Sequence, residues 1–203
     1  DDVKKALEKL QSENDVQSLV LDLRSNPGGL LIESVKIVGL FVDKGEMVVR
    51  TRGKVESWNK EYRTMENPIA PDLPLVVLTN GGSASASEIV SGALQDLDRA
   101  IIIGERTLGK GLVQTTRSLN YNSQLKVTTS KYYIPSGRCI QEIDYSHKND
   151  AGVAIKVADS LISEFKTKNG RIVFDGKGVL PDIVTQSDKQ RVIMYNIIAD
   201  YLA

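Results

Sequence analysis

The 203-residue sequence is poor in the residues that carry most recognisable chemistry: one histidine, one cysteine, one tryptophan and three phenylalanines. A single cysteine, Cys139, excludes an intrachain disulfide. A single histidine, His147, lies in the polar stretch Asp144-Tyr-Ser-His-Lys-Asn-Asp150 and is expected in a solvent-exposed loop. No Cys/His/acid cluster surrounds it, so no metal and no cofactor are expected. Charge of one sign is also missing. Twenty-six basic residues balance twenty-six acidic ones, which leaves no field to recruit nucleic acid or anionic lipid. No apolar run approaches the roughly 18 residues of a membrane span, so no integral membrane segment is expected in this chain. No secretory leader is evident. The opening Asp1-Asp-Val-Lys-Lys5 reads as the middle of a helix, so the chain is expected to be a fragment of a longer one.

What is present suits a soluble α/β domain. Apolar residues make up 41% and charged residues 26%, as in ordinary globular proteins, and a chain of this size buries roughly 70% of its unfolded surface. Helical spacing of Val3, Ala6, Leu7 and Leu10 predicts a helix over 1–13. Short apolar runs at Leu19–Leu23, Leu75–Leu78 and Ile101–Ile103 predict buried strands. The first two lead through glycine turns into helical patterns at 30–42 and 86–97. Buried strands alternating with helices predict an α/β fold with a largely parallel central sheet flanked by helices. A β-rich part is expected beside it: a hairpin over 46–64, and strands at 113–117, 125–133 and 171–174, several of them rich in Thr and Tyr. Residues 141–160 are polar and suggest no element. A C-terminal helix is expected through Val192, Tyr195, Ile198 and Leu202.

Three segments carry candidate chemistry. Ser85 lies in Asn80-Gly-Gly-Ser-Ala-Ser-Ala-Ser-Glu88, between a buried strand and a helix. A serine there sits beside free helix N–H groups, and Ala86 N–H could face an oxyanion. Ser85-x-x-Glu88 is equally a capping box, and the two readings are compatible. With no histidine at hand, the base for a nucleophilic serine would be a lysine. Lys110 lies in Thr107-Leu-Gly-Lys-Gly-Leu-Val-Gln114. A lysine serves as a base near neutral pH when desolvation or a helix N-terminus favours its uncharged form. Gln114, four residues on, is neutral and could orient such an amine. Gly104-Glu-Arg-Thr-Leu-Gly-Lys-Gly111 also approaches the phosphate-binding P-loop pattern. Gly111 replaces the metal-binding Ser/Thr, however, and the following segment is β-rich. Asn26-Pro-Gly-Gly29 ends the first strand, where ligands bind in parallel sheets. It reads as a plain turn or as the source of a second oxyanion donor from Gly28 or Gly29.

Taken in order, these blocks resemble the catalytic core of the C-terminal-processing, or tail-specific, serine proteases. The matching stretches are Leu21–Gly29, Ser83–Ile89 with Gly92-Ala-Leu94, Gly104–Gln114, Tyr133–Arg138 with Ile140-Gln141, and Leu180-Pro-Asp-Ile183. The resemblance implies a Clp-protease/crotonase-like core and cleavage of protein or peptide substrates near their C-termini. It implies Ser85 as nucleophile, Lys110 as general base and Gln114 as the lysine's partner. The oxyanion donors would be Ala86 N–H and a glycine of Gly28-Gly29. It implies an extracytoplasmic location, envelope-associated, periplasmic or secreted, and is compatible with an oligomer. Asp96 matches an acidic position of this family and is read as structural. Cys139 stands where serine is frequent and is read as a packing residue.

The chain also departs from the family pattern. It has no room for the PDZ domain that precedes the core in the family and reads the substrate tail, and 141–176 is a longer insertion than the simplest members carry. The whole of 1–203 is therefore expected to be one peptidase core. In this family outer domains can control alignment of the dyad. Two other classes compete: a non-catalytic ligand carrier or inactive fragment on the same fold, and a nucleotide-binding protein acting through Gly104–Gly111.

Overall fold

A computed structural model describes residues 2–185 of the chain. Helix α1 (Asp2–Glu13) buries Leu7. Strand β1 (Leu19–Asp22) passes through the Asn26–Gly29 turn into α2 (Leu31–Val38). The periodic pattern predicts helix as far as 42, but α2 stops at Val38 and Gly39 caps it. Leu40, Phe41 and Val42 are still buried, now from a turn. Burial thus outlasts the helix, and periodicity alone could not separate the two.

Strands β2 (Met47–Gly53) and β3 (Lys60–Arg63) form the expected hairpin, joined through a short 3-10 turn at Glu56–Trp58. Strand β4 (Leu75–Thr79), helix α3 (Ala86–Asp96) and strand β5 (Ile101–Gly104) repeat the strand-helix-strand pattern. Strands β6 (Leu112–Ser118) and β7 (Gln124–Tyr133) make a long antiparallel hairpin. The unassigned polar stretch contains a second hairpin, β8 (Ile143–Lys148) and β9 (Ala154–Lys156). His147 therefore lies on a strand rather than in a loop. It is exposed as expected, with its Nδ1 2.6 Å from the Asp144 carboxylate. Strands β10 (Glu164–Lys166) and β11 (Ile172–Phe174) pair with each other, and β12 (Ile183–Val184) closes the described chain. The helix expected through Val192, Tyr195, Ile198 and Leu202 lies outside the described residues.

β1, β4, β5 and β12 form a wholly parallel sheet in the order β1-β4-β5-β12. A second, antiparallel sheet has the order β3-β2-β7-β6. The α/β core and the β-rich part are thus both present. Between them runs α3, all of whose residues are buried. Its Ile89, Val90, Ala93 and Leu94 join Val77 and Ile102 of the parallel sheet, Val38 of α2, and Val48 and Ile134 from the antiparallel side in one hydrophobic cluster. A helix buried on all sides cannot shift without unpacking both sheets.

The C-terminal end of α3 is fixed by polar groups. Asp96 and Arg138 form an ion pair at 2.9 Å whose side chains are both fully buried. Arg138 also donates to Gln95 Oε1 at 2.7 Å and to the Phe174 carbonyl at 3.1 Å. Gln95 Nε2 donates to the Leu180 carbonyl and to Asp182, whose other carboxylate oxygen accepts the Ile102 N–H. Asp96 is structural, as read from its place at a helix end, where an anion gains nothing from the dipole. Cys139 is half-buried, and burial pushes its thiol above the ordinary value, consistent with packing rather than nucleophilic duty.

Candidate active site

Adjacent parallel strands β1, β4 and β5 release their chains at the same edge of the sheet. This brings the turns after Asp22, Thr79 and Gly104 together, which is where open α/β sheets bind ligands. Side chains lace the three turns. Asn80 Oδ1 accepts the N–H groups of Ser25 and Gly82 at 2.7 and 3.0 Å. Ser83 Oγ donates to the Leu23 carbonyl at 2.7 Å. Ala84 N–H reaches the Asn26 carbonyl at 3.0 Å, and Leu108 N–H the Ser83 carbonyl at 3.0 Å.

Ser85 is the N-cap of α3, with φ 56° and ψ −115°. A non-glycine residue at positive φ is strained by about 1–3 kcal/mol and persists only where the surroundings hold it. Here they do. Gly28, at φ 95°, packs so tightly that a Cβ on it would lie 2.5 Å from the Ala84 carbonyl oxygen, 2.7 Å from Ala86 N and 3.0 Å from Ser85 Cβ. Only glycine allows that approach. Gly28 donates its own N–H to Asn26 Oδ1 at 2.9 Å. Gly29 has open space on its side-chain face. Among the described residues, Ala86 N–H and Gly29 N–H have no acceptor.

Glu88, three residues into α3, carries more than half a cap. Its carboxylate is fully buried and accepts Ser85 N–H at 2.8 Å, Thr107 Oγ1 at 2.6 Å, Gly109 N–H at 2.7 Å and Lys110 N–H at 2.9 Å. Burial pushes its pKa above the ordinary value, and the four donors pull it partly back. The rest of the Lys110 loop is equally engaged. Gly111 N–H donates to Gln141 Oε1 at 2.7 Å, Glu142 N–H to the Gly109 carbonyl at 2.9 Å, and Val179 N–H to Thr107 Oγ1 at 2.7 Å. The Tyr132 hydroxyl donates to the Ser85 carbonyl at 3.1 Å and makes a close contact with the Lys110 carbonyl.

The backbones of Ser85, Ala86, Gly28 and Lys110 are thus brought into one cluster. The side chains of Lys110 and Gln114 are not: both are exposed, and no hydrogen bond joins Lys110 Nζ to Ser85 or to Gln114. Gln114 follows a register shift between Val113 and Gln114 on the edge strand β6. The phosphate-loop reading loses its physical basis, since the Gly109 and Lys110 N–H groups point at a buried carboxylate and a strand follows them. Sequence reasoning missed Tyr132 and the reach of Glu88. The S-x-x-E pattern announced only the local half of that contact. Among the described residues no group of three His, Cys, Asp or Glu side chains could hold a metal, and no helix is long and apolar enough to cross a membrane.

Comparison with known proteins adds the following. Residues 1–148 match the family model of peptidase family S41. A carboxy-terminal-processing protease of Bartonella bacilliformis is 46% identical over 145 residues, which is 70% of this chain and 33% of that protein. A probable CtpA-like serine protease of Staphylococcus aureus (strain N315) is 45% identical over 127 residues, 62% of this chain and 25% of that one. Among solved structures, the photosystem II D1 C-terminal processing protease superposes over 91% of this chain and 38% of its own, with a TM-score of 0.63 and 34% identity. The chain spans a quarter to a third of the length of the curated relatives it matches.

Proposed function

The chain belongs to peptidase family S41, and from that premise we propose that it is the catalytic core of a serine endopeptidase working through a Ser85-Lys110 dyad. The observation that carries the reading is the shared anchor: one buried carboxylate, that of Glu88, holds the N–H of Ser85 at 2.8 Å and the N–H of Lys110 at 2.9 Å. Nucleophile and base hang from the same side chain.

In the proposed reaction Lys110 Nζ takes the Ser85 proton as Oγ attacks the scissile carbonyl. Ala86 N–H and a glycine N–H of the Gly28-Gly29 turn bind the oxyanion, Gly29 being the one without an internal acceptor. Lys110 returns the proton to the leaving amine, and water then hydrolyses the acyl-enzyme by the same steps in reverse order. Gln114 holds the amine toward Ser85 once its side chain turns inward. A bound peptide excludes water from the amine, the condition under which a lysine serves as a base. Protein tails are the proposed substrates and an extracytoplasmic compartment the proposed location. Residues 1–203 form one core, with 141–176 as an insertion in it.

A second reading, a core inactive by itself, is favoured by one observation: Lys110 and Gln114 are exposed and unengaged. One experiment separates the two. The chain and its Ser85→Ala and Lys110→Ala variants are incubated with a small unfolded protein, and products are read by mass spectrometry. Cleavage abolished in both variants supports the dyad, because the two groups act as a unit. Near-normal turnover in Lys110→Ala would sink it, and no cleavage by the unmodified chain favours the second reading.

A further inference from the structure

The two sheets meet at the site through one phenol. Tyr132 sits near the end of β7 in the antiparallel sheet, 2% exposed, with its backbone N–H on the Gly111 carbonyl at 3.0 Å. Its hydroxyl lies between two carbonyls that belong to different loops, those of Ser85 and Lys110. Each carbonyl shares a rigid peptide plane with the next N–H. Holding the Ser85 carbonyl therefore aims the Ala86 N–H, and holding the Lys110 carbonyl aims the Gly111 N–H, which Gln141 receives.

We propose that Tyr132 is a positioning residue that fixes the Ser85–Ala86 peptide against the Lys110–Gly111 peptide, setting the oxyanion donor and the base backbone in one frame. The inference rests on the Ser85-Lys110 reading. It assigns Tyr132 no contact with substrate. The helix already occupies the Ser85 carbonyl with the N–H groups of Glu88 and Ile89 at 2.9 and 3.0 Å, so the phenol is not needed to form α3. What it adds is the cross-tie to the other loop. Burial raises the phenol's pKa well above the ordinary value, with the Glu88 charge adding to the effect, so the hydroxyl stays protonated and able to donate throughout the working pH range. One proton is shared between the two acceptors, so the hydroxyl bears on both carbonyls at once.

The test is Tyr132→Phe in the full chain, which keeps the ring in the core. The expected result is a kcat lowered about 10- to 100-fold with KM changed less than about twofold, because a small misplacement of reacting groups acts on the transition state. Amide exchange at Gly111, whose N–H Gln141 receives, should quicken at least about tenfold, while Ile102, in β5 away from the tie, keeps its rate. Unchanged kcat together with unchanged exchange at Gly111 would overturn the proposal. If the unmodified chain shows no Ser85-dependent cleavage, the peptidase reading fails separately. The exchange rate at Gly111 then decides whether the tie exists. A measurement on the unmodified chain guards against a variant that does not fold. The Tyr132 hydroxyl proton should appear in NMR spectra as a slowly exchanging signal close to the Ala86 and Gly111 amides, and exchange at the solvent rate would overturn the tie.

Discussion

Glu88→Gln tests the shared anchor directly. The two oxygens of the carboxylate divide their work: Oε1 receives Thr107 Oγ1 and Gly109 N–H, and Oε2 receives Ser85 N–H and Lys110 N–H. A glutamine fills the same volume but presents one oxygen and one NH2. Whichever way it turns, two donors face a donor. If the oxygen serves Ser85 and Lys110, Thr107 can swing its hydroxyl away but Gly109 N–H is stranded. If it serves the other pair, the Ser85 and Lys110 N–H groups are both stranded. Each buried unmet donor costs about 1–3 kcal/mol. Removing the carboxylate's own desolvation cost offsets part of this, so the net loss expected at neutral pH is about 2–4 kcal/mol. The sign of the pH dependence follows from the shift. Burial raises the folded-state pKa of Glu88 above its ordinary 4.5. Its contribution is therefore fully present below that value and is lost as pH rises through the folded pKa. The stability gap between the unmodified chain and Glu88→Gln should narrow with rising pH, because the ionised carboxylate bears a burial cost that the amide escapes. Urea unfolding followed by circular dichroism measures the gap, with m compared to confirm that the native state is unchanged in extent. Cleavage by the variant should fall about a hundredfold as the two loops come apart. An unchanged urea midpoint with activity within twofold, or a gap that widens as pH rises, would refute the reasoning.

The neighbouring glycines of the turn give an internal contrast. Gly28→Ala combines a φ of 95° with a Cβ 2.5 Å from a backbone oxygen and should cost more than about 2 kcal/mol and abolish cleavage. Gly29→Ala, with open space beside it, should leave the unfolding midpoint and turnover nearly unchanged. Arg138→Ala strands the fully buried Asp96 carboxylate and should lower stability by about 3–5 kcal/mol in chemical denaturation; a loss under 1 kcal/mol would show that the carboxylate finds water or another partner. Magnesium-ATP should produce no thermal shift, since the N–H groups that would cradle a phosphate are committed to Glu88. A saturable shift removed by Lys110→Ala would restore the nucleotide reading.

The parallel core was legible in the sequence because its strands are short, mostly apolar runs ended by turns: Leu19–Leu23, interrupted by Asp22, then Leu75–Leu78 and Ile101–Ile103. The burial expected of them is not met in β1, where Val20 is 59% exposed on an outer face. Strand β12 was not, since two residues after Pro181 make no pattern; what creates it is pairing of Ile183 with Ile103 and Val184 with Gly104. The β8–β9 hairpin escaped for a related reason. Most of its side chains are exposed, so no apolar alternation marked it. At the candidate site, turn chemistry and the ordered blocks singled out Ser85, Ala86, Gly28, Gly29 and Lys110, and the structure brings the backbones of Ser85, Ala86, Gly28 and Lys110 together. The reach of Glu88 to Thr107, Gly109 and Lys110 and the cross-tie of Tyr132 join residues 19 to 47 apart in sequence, and such contacts leave no local signature. The engagement of Lys110 by Gln114, which four-residue spacing suggested, is not made in this structure: both residues are exposed, and the pairing of β6 with β7 shifts register between Val113 and Gln114.

The ordered blocks divide between two buried polar clusters at opposite ends of α3. At its N-terminal end Glu88 gathers Thr107, Gly109 and Lys110, and Gln141 holds Gly111. At its C-terminal end Asp96 and Gln95 gather Arg138 of the Pro-Ser-Gly-Arg block and Asp182 of the Leu-Pro-Asp block. These latter residues, which stand in the ordered blocks beside the serine and the lysine, fix the far end of the helix that carries Ser85. With α3 held at both ends and buried along its length, Ser85 cannot move independently of the two sheets. With every N–H from Thr107 to Gly111 committed to an acceptor, the Lys110 backbone cannot move far either. The freedom that remains is in the exposed side chains of Lys110 and Gln114 and in the edge strand β6. Forming the proposed dyad would thus need only the turning of two side chains over a preset backbone, and no refolding of the loop that carries Lys110.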